Sequence, residues 1–185
     1  MTLDGLLLAA GAGSRMGTPK ALVHDDDGTS WLRHAVTALR EGGCDRVTVV
    51  LGAGADDARE MLAGEGVGVV VAEDWADGMG ASLRAGLSAL TPLDGEAVVV
   101  TLVDLPDVGA DVVRRVAHLG TDPGVLARAA YDDEPGHPVL LGREHWAGVA
   151  ASATGDRGAR DYLAAHAVFV VECGDLATGR DVDTR

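Results

Sequence analysis

The stretch that most constrains the fold is Leu8 to Lys20, LAAGAGSRMGTPK. A short apolar run, Leu3 to Ala10, interrupted by Asp4 and Gly5, empties into a loop holding Gly11, Gly13 and Gly17. An apolar run of that length reads as a buried strand. Glycines straight after it free the backbone to turn tightly, with its N–H groups bared towards a ligand. The loop ends at Lys20, the only lysine in the chain, against fourteen arginines. An ammonium is a compact point charge that bridges phosphate oxygens, whereas guanidinium is a flat fork. The expected task of this loop, with Arg15 and Lys20 as counter-charges, is to hold a nucleotide's phosphates.

Downstream, apolar runs alternate with helical patterns. Ser30 is a plausible N-cap for a helix running to about Glu41, and Gly42-Gly43 stops it. Arg46 to Leu51, Val67 to Ala72, Glu96 to Val103 and Val125 to Ala130 read as strands. Helices are expected near 56–63, 81–90 and 110–119. The Val-rich run Glu96 to Val103 suits the centre of a sheet covered on both faces. This alternation predicts a three-layer α/β/α fold with a mostly parallel central sheet. Ligands bind such sheets at the carboxyl ends of the strands, where the first loop and Asp104 both fall. After Tyr131 the pattern changes to an acidic turn (YDDEPGHP), a short strand at Val139 to Leu141 and helices near 144–151 and 161–165. A last strand is expected at Ala167 to Glu172. The expected organisation is one domain over 1–185, with a nucleotide-binding half (1–130) and an acceptor-side elaboration (131–185).

Composition narrows the function. The formal net charge is −14, which disfavours nucleic acid and anionic membrane surfaces as partners. An anionic ligand therefore needs a local positive site, and Arg15 with Lys20 supplies one. Cys44 and Cys173 lie far apart and read as two buried free thiols. No basic leader precedes the first apolar run, so the expected location is cytoplasmic.

Two common nucleotide loops fail on spacing. A Walker A loop needs GxxxxGK[ST], but Gly17 is followed by Thr18 and Pro19 before Lys20. A dinucleotide fingerprint needs GxGxxG, and the spacing here is one residue longer. What the loop does resemble is the signature of nucleotidyltransferases with the nucleotide-diphospho-sugar transferase fold: LAAG, then RMG, then K. Within that superfamily the chain most resembles the MobA-like NTP transferases, in their molybdenum cofactor cytidylyltransferase branch. Further motifs follow in the same order: DWADGMGASLRAG (Asp74 to Gly86), VDLP (Val103 to Pro106), PGHP (Pro135 to Pro138), GDRGAR (Gly155 to Arg160) and DVDT (Asp181 to Thr184).

That resemblance implies transfer of CMP from CTP to molybdopterin, the molybdenum cofactor, with release of pyrophosphate and with Mg²⁺ as the metal. By resemblance Arg15, Lys20 and Asp104 are catalytic. Ala9, Ala10, Gly11, Gly13, Gly78 and Ser82 join Arg15 and Lys20 around the nucleotide. Asp104 and Asp183 hold the metal, with Asp181 as a substitute, and His137 and Arg157 meet the acceptor. Ala10, where guanylyl-transferring relatives carry glycine, leans towards CTP over GTP, although one methyl discriminates by only about 1–3 kcal/mol. A molybdoenzyme is the implied recipient. Val103 departs from the pattern by replacing the usual glycine before Asp104. Two rivals remain open. One is nucleotidyl transfer from CTP or GTP to another phosphorylated acceptor, such as a sugar or polyol phosphate. The other is a non-catalytic maturation factor that binds nucleotide or cofactor, favoured by the short segment after DVDT. An NAD-type binding module is disfavoured by the loop spacing.

Overall fold

In the computed structural model, which describes residues 2–183, seven strands form one sheet between two layers of helices. Strand β1 (Thr2–Ala9) is followed by α1 (Trp31–Glu41), β2 (Arg46–Leu51), α2 (Ala55–Met61), β3 (Gly68–Val71), α3 (Met79–Leu90), β4 (Gly95–Leu102) and α4 (Ala110–Ala117). The last third adds β5 (Leu126–Tyr131), β6 (Glu134–Gly142), α5 (Arg143–Ser152), α6 (Arg160–Ala164) and β7 (Phe169–Glu172). The sheet order is β3-β2-β1-β4-β6-β5-β7.

The expected alternation holds through α4 and β5, with β1 pairing in parallel with both β2 and β4 and β5 running in the same direction. The C-terminal third departs from it. Asp132 and Asp133 take left-handed φ of 52° and 68°, and Tyr131 pairs with Glu134 across them. Those two residues make a tight hairpin. The returning strand β6 must then run antiparallel to β5, and it inserts between β5 and β4. The short strand expected at Val139 to Leu141 is therefore nine residues long, and PGHP lies inside it rather than in a turn. Of the seven strands, β6 alone runs against the rest.

Local chemistry explains the elements. Ser30 caps α1, its hydroxyl accepting from the Arg33 N–H at 3.3 Å. On β4, Val98, Val99 and Val100 are buried at the sheet centre, each stabilising the fold by about 1.5–3 kcal/mol through removal from water. One face of the sheet packs against α1 and α4 through Leu32, Leu39 and Val113. The other packs against α3, α5 and α6 through Leu87, Trp146 and Leu163. Asp4, which interrupts the first apolar run, is fully buried and accepts from the Arg46 Nε at 2.8 Å. Cys44 and Cys173 are buried free thiols. No helix among the described residues is long and apolar enough to cross a membrane.

Candidate active site

The carboxyl ends of β1 and β4 open into one cleft, and the glycine-rich loop forms its rim. The loop is held by its own backbone: the Met16 and Gly17 N–H groups donate to the Gly13 carbonyl at 2.8 and 2.9 Å, and the Lys20 N–H donates to Gly11 O at 3.2 Å. Gly13 has a φ of +58°, and a methyl group there would stand 1.9 Å from the Thr18 carbonyl oxygen. Only glycine closes this turn.

Pro19 leads into a single turn of 3₁₀ helix, Lys20–Leu22, which aims Lys20 across the cleft. Its ammonium donates to Asp104 and, at 2.7 Å, to Asp183 Oδ1. Arg15 Nη1 donates to the other Asp183 oxygen at 2.9 Å. Burial works to lower the Lys20 pKa, but the hydrogen bonds to Asp104 and Asp183 outweigh it and hold the ammonium above its ordinary value. The same Lys20 contact holds the Asp183 carboxyl below the usual range.

Asp104 is buried at the end of β4 and Asp181 and Asp183 reach it from the C-terminal tail. The tail is tied down at two points. The Val182 N–H donates to the Asp104 carbonyl at 3.0 Å, and the Thr178 N–H and hydroxyl both donate to Asp107 Oδ2 at 2.6 Å. One carboxylate oxygen from each of Asp104, Asp181 and Asp183 lies within 4.8 Å of the others. Opposite ligands of an octahedral ion with bonds of about 2.1 Å stand roughly 4.2 Å apart, so a small contraction would let these three carboxylates share a hard divalent cation. Their all-oxygen chemistry suits Mg²⁺ or Mn²⁺. The Lys20 ammonium is hydrogen-bonded to two of the three, Asp104 and Asp183. Thr184, the last residue of the DVDT motif, lies outside the described residues.

The cleft has two lobes that share Lys20 and Asp104. The smaller, of about 400 Å³, is lined by Ala10, Gly11, Gly78, Ser82 and Val103. Here the amino end of α3 faces inward, and its dipole favours an anion. Ala9 does not reach this wall. It is a strand residue with 1% exposure, and its methyl packs in the core on the α1 side, so β1 points it away. The larger lobe, of about 630 Å³, runs from Gly13 and Arg15 past Asp183 to His137, Arg157, Arg128 and Arg160. The structure thus brings every expected site residue except Ala9 to one connected cleft.

His137 sits in β6. Burial, and then the neighbouring Arg128 charge, push its imidazole down to about 4, so the ring is neutral at pH 7 and supplies no charge to an anion. Arg157 is exposed and paired with Asp161 at 2.6 Å. Sequence reasoning missed Arg128, whereas Arg160 of GDRGAR, read with Arg157 as positive charge on the acceptor side, does line this lobe. An arginine inside LARAAY, a strand otherwise of alanine, leucine and tyrosine, was the available signal.

A profile of the MobA-like NTP transferase domain matches residues 5–169. Nicotine blue oxidoreductase of Paenarthrobacter nicotinovorans is 37% identical over 192 residues, covering 98% of this chain and 92% of that protein. Among solved structures, Rv0371c from Mycobacterium tuberculosis H37Rv superposes with a TM-score of 0.82 at 33% identity, over 100% of this chain and 93% of that one. Its manganese complex gives 0.78 at 29% identity, over 98% and 94%. A nucleotidyl transfer enzyme from Methanothermobacter thermautotroptrophicus shares the fold, with a TM-score of 0.82 at 22% identity, over 99% and 92%.

Proposed function

The chain belongs to the MobA-like NTP transferase family, and from that premise we propose that it transfers a nucleotidyl group, CMP from CTP, to molybdopterin. The observation that supports this reading best is the meeting of Lys20, Arg15 and three carboxylates at the mouth of the glycine-rich loop. In the transfer, an oxygen of the acceptor's phosphate attacks the α-phosphorus, and the bond to pyrophosphate breaks. Such a reaction needs positioning and charge neutralisation more than a covalent protein group. The loop amides, Arg15 and Lys20 hold the triphosphate and take up the charge that moves onto the leaving pyrophosphate. Asp104, Asp181 and Asp183 hold the divalent ion, Mg²⁺ in this reading; manganese in Rv0371c supports a hard cation in a relative of the same fold. When bound, that ion neutralises phosphate oxygens. The wall at Ala10 and Ser82 receives base and ribose, and residues 131–185 form the acceptor side.

The direct experiment measures pyrophosphate release with CTP, GTP or ATP, Mg²⁺ or Mn²⁺, and molybdopterin. Release that needs CTP, metal and molybdopterin, and that Asp104→Asn abolishes, is the expected result. Release only with a sugar or polyol phosphate reassigns the acceptor, and nucleotide binding without release makes the protein a maturation factor. A second reading is favoured by one observation, the end-to-end similarity to nicotine blue oxidoreductase. Under it the cleft binds a reducible dye and a reductant, which passes its electrons to the dye. Loss of nicotine blue colour with a reduced nicotinamide donor, and no pyrophosphate under any condition, would establish it.

A further inference from the structure

Arg128 is the only charged residue on β5, an internal strand whose other residues are all buried. Its Nη2 donates to the Gly136 carbonyl at 3.3 Å, and its Nε is buried with no hydrogen-bond partner among the described residues. No carboxylate of the described residues lies within ion-pair distance of it. A half-buried guanidinium without a counter-ion is costly, because its lost hydration is not replaced. Folds retain such charges where a ligand completes them. Burial and the nearby positive charge of Arg160 both push the Arg128 pKa down. Arg160, at the start of α6, also lacks an ion-pair partner among the described residues, and both side chains line the larger lobe of the cleft. In a chain of net charge −14, two neighbouring unneutralised cations on one cavity wall are a local reversal of sign. His137 beside them is neutral and adds no charge of its own.

We propose that Arg128 and Arg160 form an oxyanion subsite that seats the phosphate monoester group of the acceptor, opposite the triphosphate loop. The inference rests on the nucleotidyl-transfer reading. Two guanidinium forks match the charge of a phosphate monoester, about −1.5 to −2 at neutral pH, better than the single charge of a carboxylate. Arg157, already paired with Asp161, is left at the rim.

Calorimetric titration with inorganic phosphate tests this, with the nucleotide lobe filled by Mg²⁺ and a non-hydrolysable CTP analogue. Wild-type protein should bind phosphate in preference to acetate. Arg128→Met and Arg160→Met should each weaken phosphate binding about tenfold or more, the scale of a charge-assisted hydrogen bond. The dissociation constant of the CTP analogue should stay within about twofold. Arg160 is exposed, so its variant reports even if Arg128→Met fails to fold. Unchanged phosphate binding in the variants, equal binding of acetate, or no phosphate binding by the wild type overturns the subsite. So does a parallel loss of CTP-analogue affinity, since the arginines would then serve the triphosphate. If the wild type binds no nucleotide, phosphate binding to the free protein that still depends on Arg128 and Arg160 upholds the subsite while the transfer reading falls.

Discussion

Replacing Lys20 by methionine should tighten the binding of a divalent ion to the nucleotide-free protein, although Lys20 is assigned a catalytic task. The ammonium lies against Asp104 and Asp183, two of the three carboxylates that would share the ion. The Lys20 and Asp104 side chains are only 18% and 11% exposed, so solvent screens that contact weakly. A unit-charge pair about 4 Å apart at an effective dielectric near 20 interacts by about 4 kcal/mol. Rehydration of the freed ammonium returns most of this, and Asp183, at 38% exposure, adds little. An incoming cation therefore meets a net competition of about 1–3 kcal/mol, or about 5- to 150-fold in affinity. Methionine keeps the length of the side chain and removes the competitor. Titration of Mn²⁺ followed by electron paramagnetic resonance reads the free ion directly. The expected order of affinity is Lys20→Met, then wild type, then Asp104→Asn. With nucleotide added, the wild type should overtake Lys20→Met, because the ammonium can then move to phosphate oxygens. Equal or weaker Mn²⁺ binding by nucleotide-free Lys20→Met would refute the idea that the lysine stands in the cation's place.

Two further outcomes follow from single residues. Gly13→Ala forces a methyl into the Thr18 carbonyl at a left-handed φ. It should cost about 1–3 kcal/mol of stability and weaken nucleotide binding more than the fold, and an unchanged nucleotide affinity would show that this turn is not the phosphate cradle. His137 gives a pH effect. Its folded pKa, about 4, lies below the ordinary 6.5, so between those values the unfolded chain binds a proton that the folded one refuses. Its contribution is complete above about pH 6.5 and is lost as pH falls towards 4, by about 3 kcal/mol. Urea unfolding of wild type and His137→Gln at pH 7.5 and 4.5 should show the wild type losing stability faster, and parallel losses would remove His137 as the cause.

The amino-terminal two-thirds of the fold were legible because each strand there is a predominantly apolar run bounded by turn residues, and each crossover is a helix. Arg46 to Leu51 reads correctly to the residue. The final third was not, because YDDEPGHP holds two prolines, a glycine and three acids, all ordinary turn formers. Only the left-handed Asp132-Asp133 pair is the turn. Pro135 lies near the hairpin end of β6 and Pro138 at the register shift between its two paired stretches, positions where proline is tolerated, so local propensity loses to the hairpin register there. In the site, Asp104 was legible from its position after a strand end, and Lys20 as the sole lysine closing the glycine-rich loop. The contact of Lys20 with Asp104 and Asp183 was not, since it depends on how a tail 163 residues away is tied back. Ala9 and Ala10 look equivalent in sequence, and strand alternation alone separates them: one enters the core and the other the cleft wall.

The tie also supplies a physical reason for lysine at this position in a chain that otherwise uses arginine. A group that fills the cation's place in the free protein and serves the phosphates in the complex must change partners cheaply. An ammonium is nearly spherical, bonds through whichever three directions are open, and swings on a flexible four-carbon stem. A guanidinium at position 20 would lock onto Asp104 or Asp183 through two parallel hydrogen bonds, and its planar fork would fit poorly between three converging oxygens. Lys20→Arg keeps the charge, so a role limited to overall electrostatics predicts near-normal behaviour. The exchange of partners predicts otherwise: Mn²⁺ binding to the free protein as weak as in the wild type or weaker, and no gain in metal affinity on adding nucleotide. Release of pyrophosphate should fall about 10²–10³-fold, the scale for losing one preorganised donor to the transition state. A Lys20→Arg protein with wild-type coupling between metal and nucleotide would show that charge alone suffices, and that the solitary lysine has no special part in the exchange.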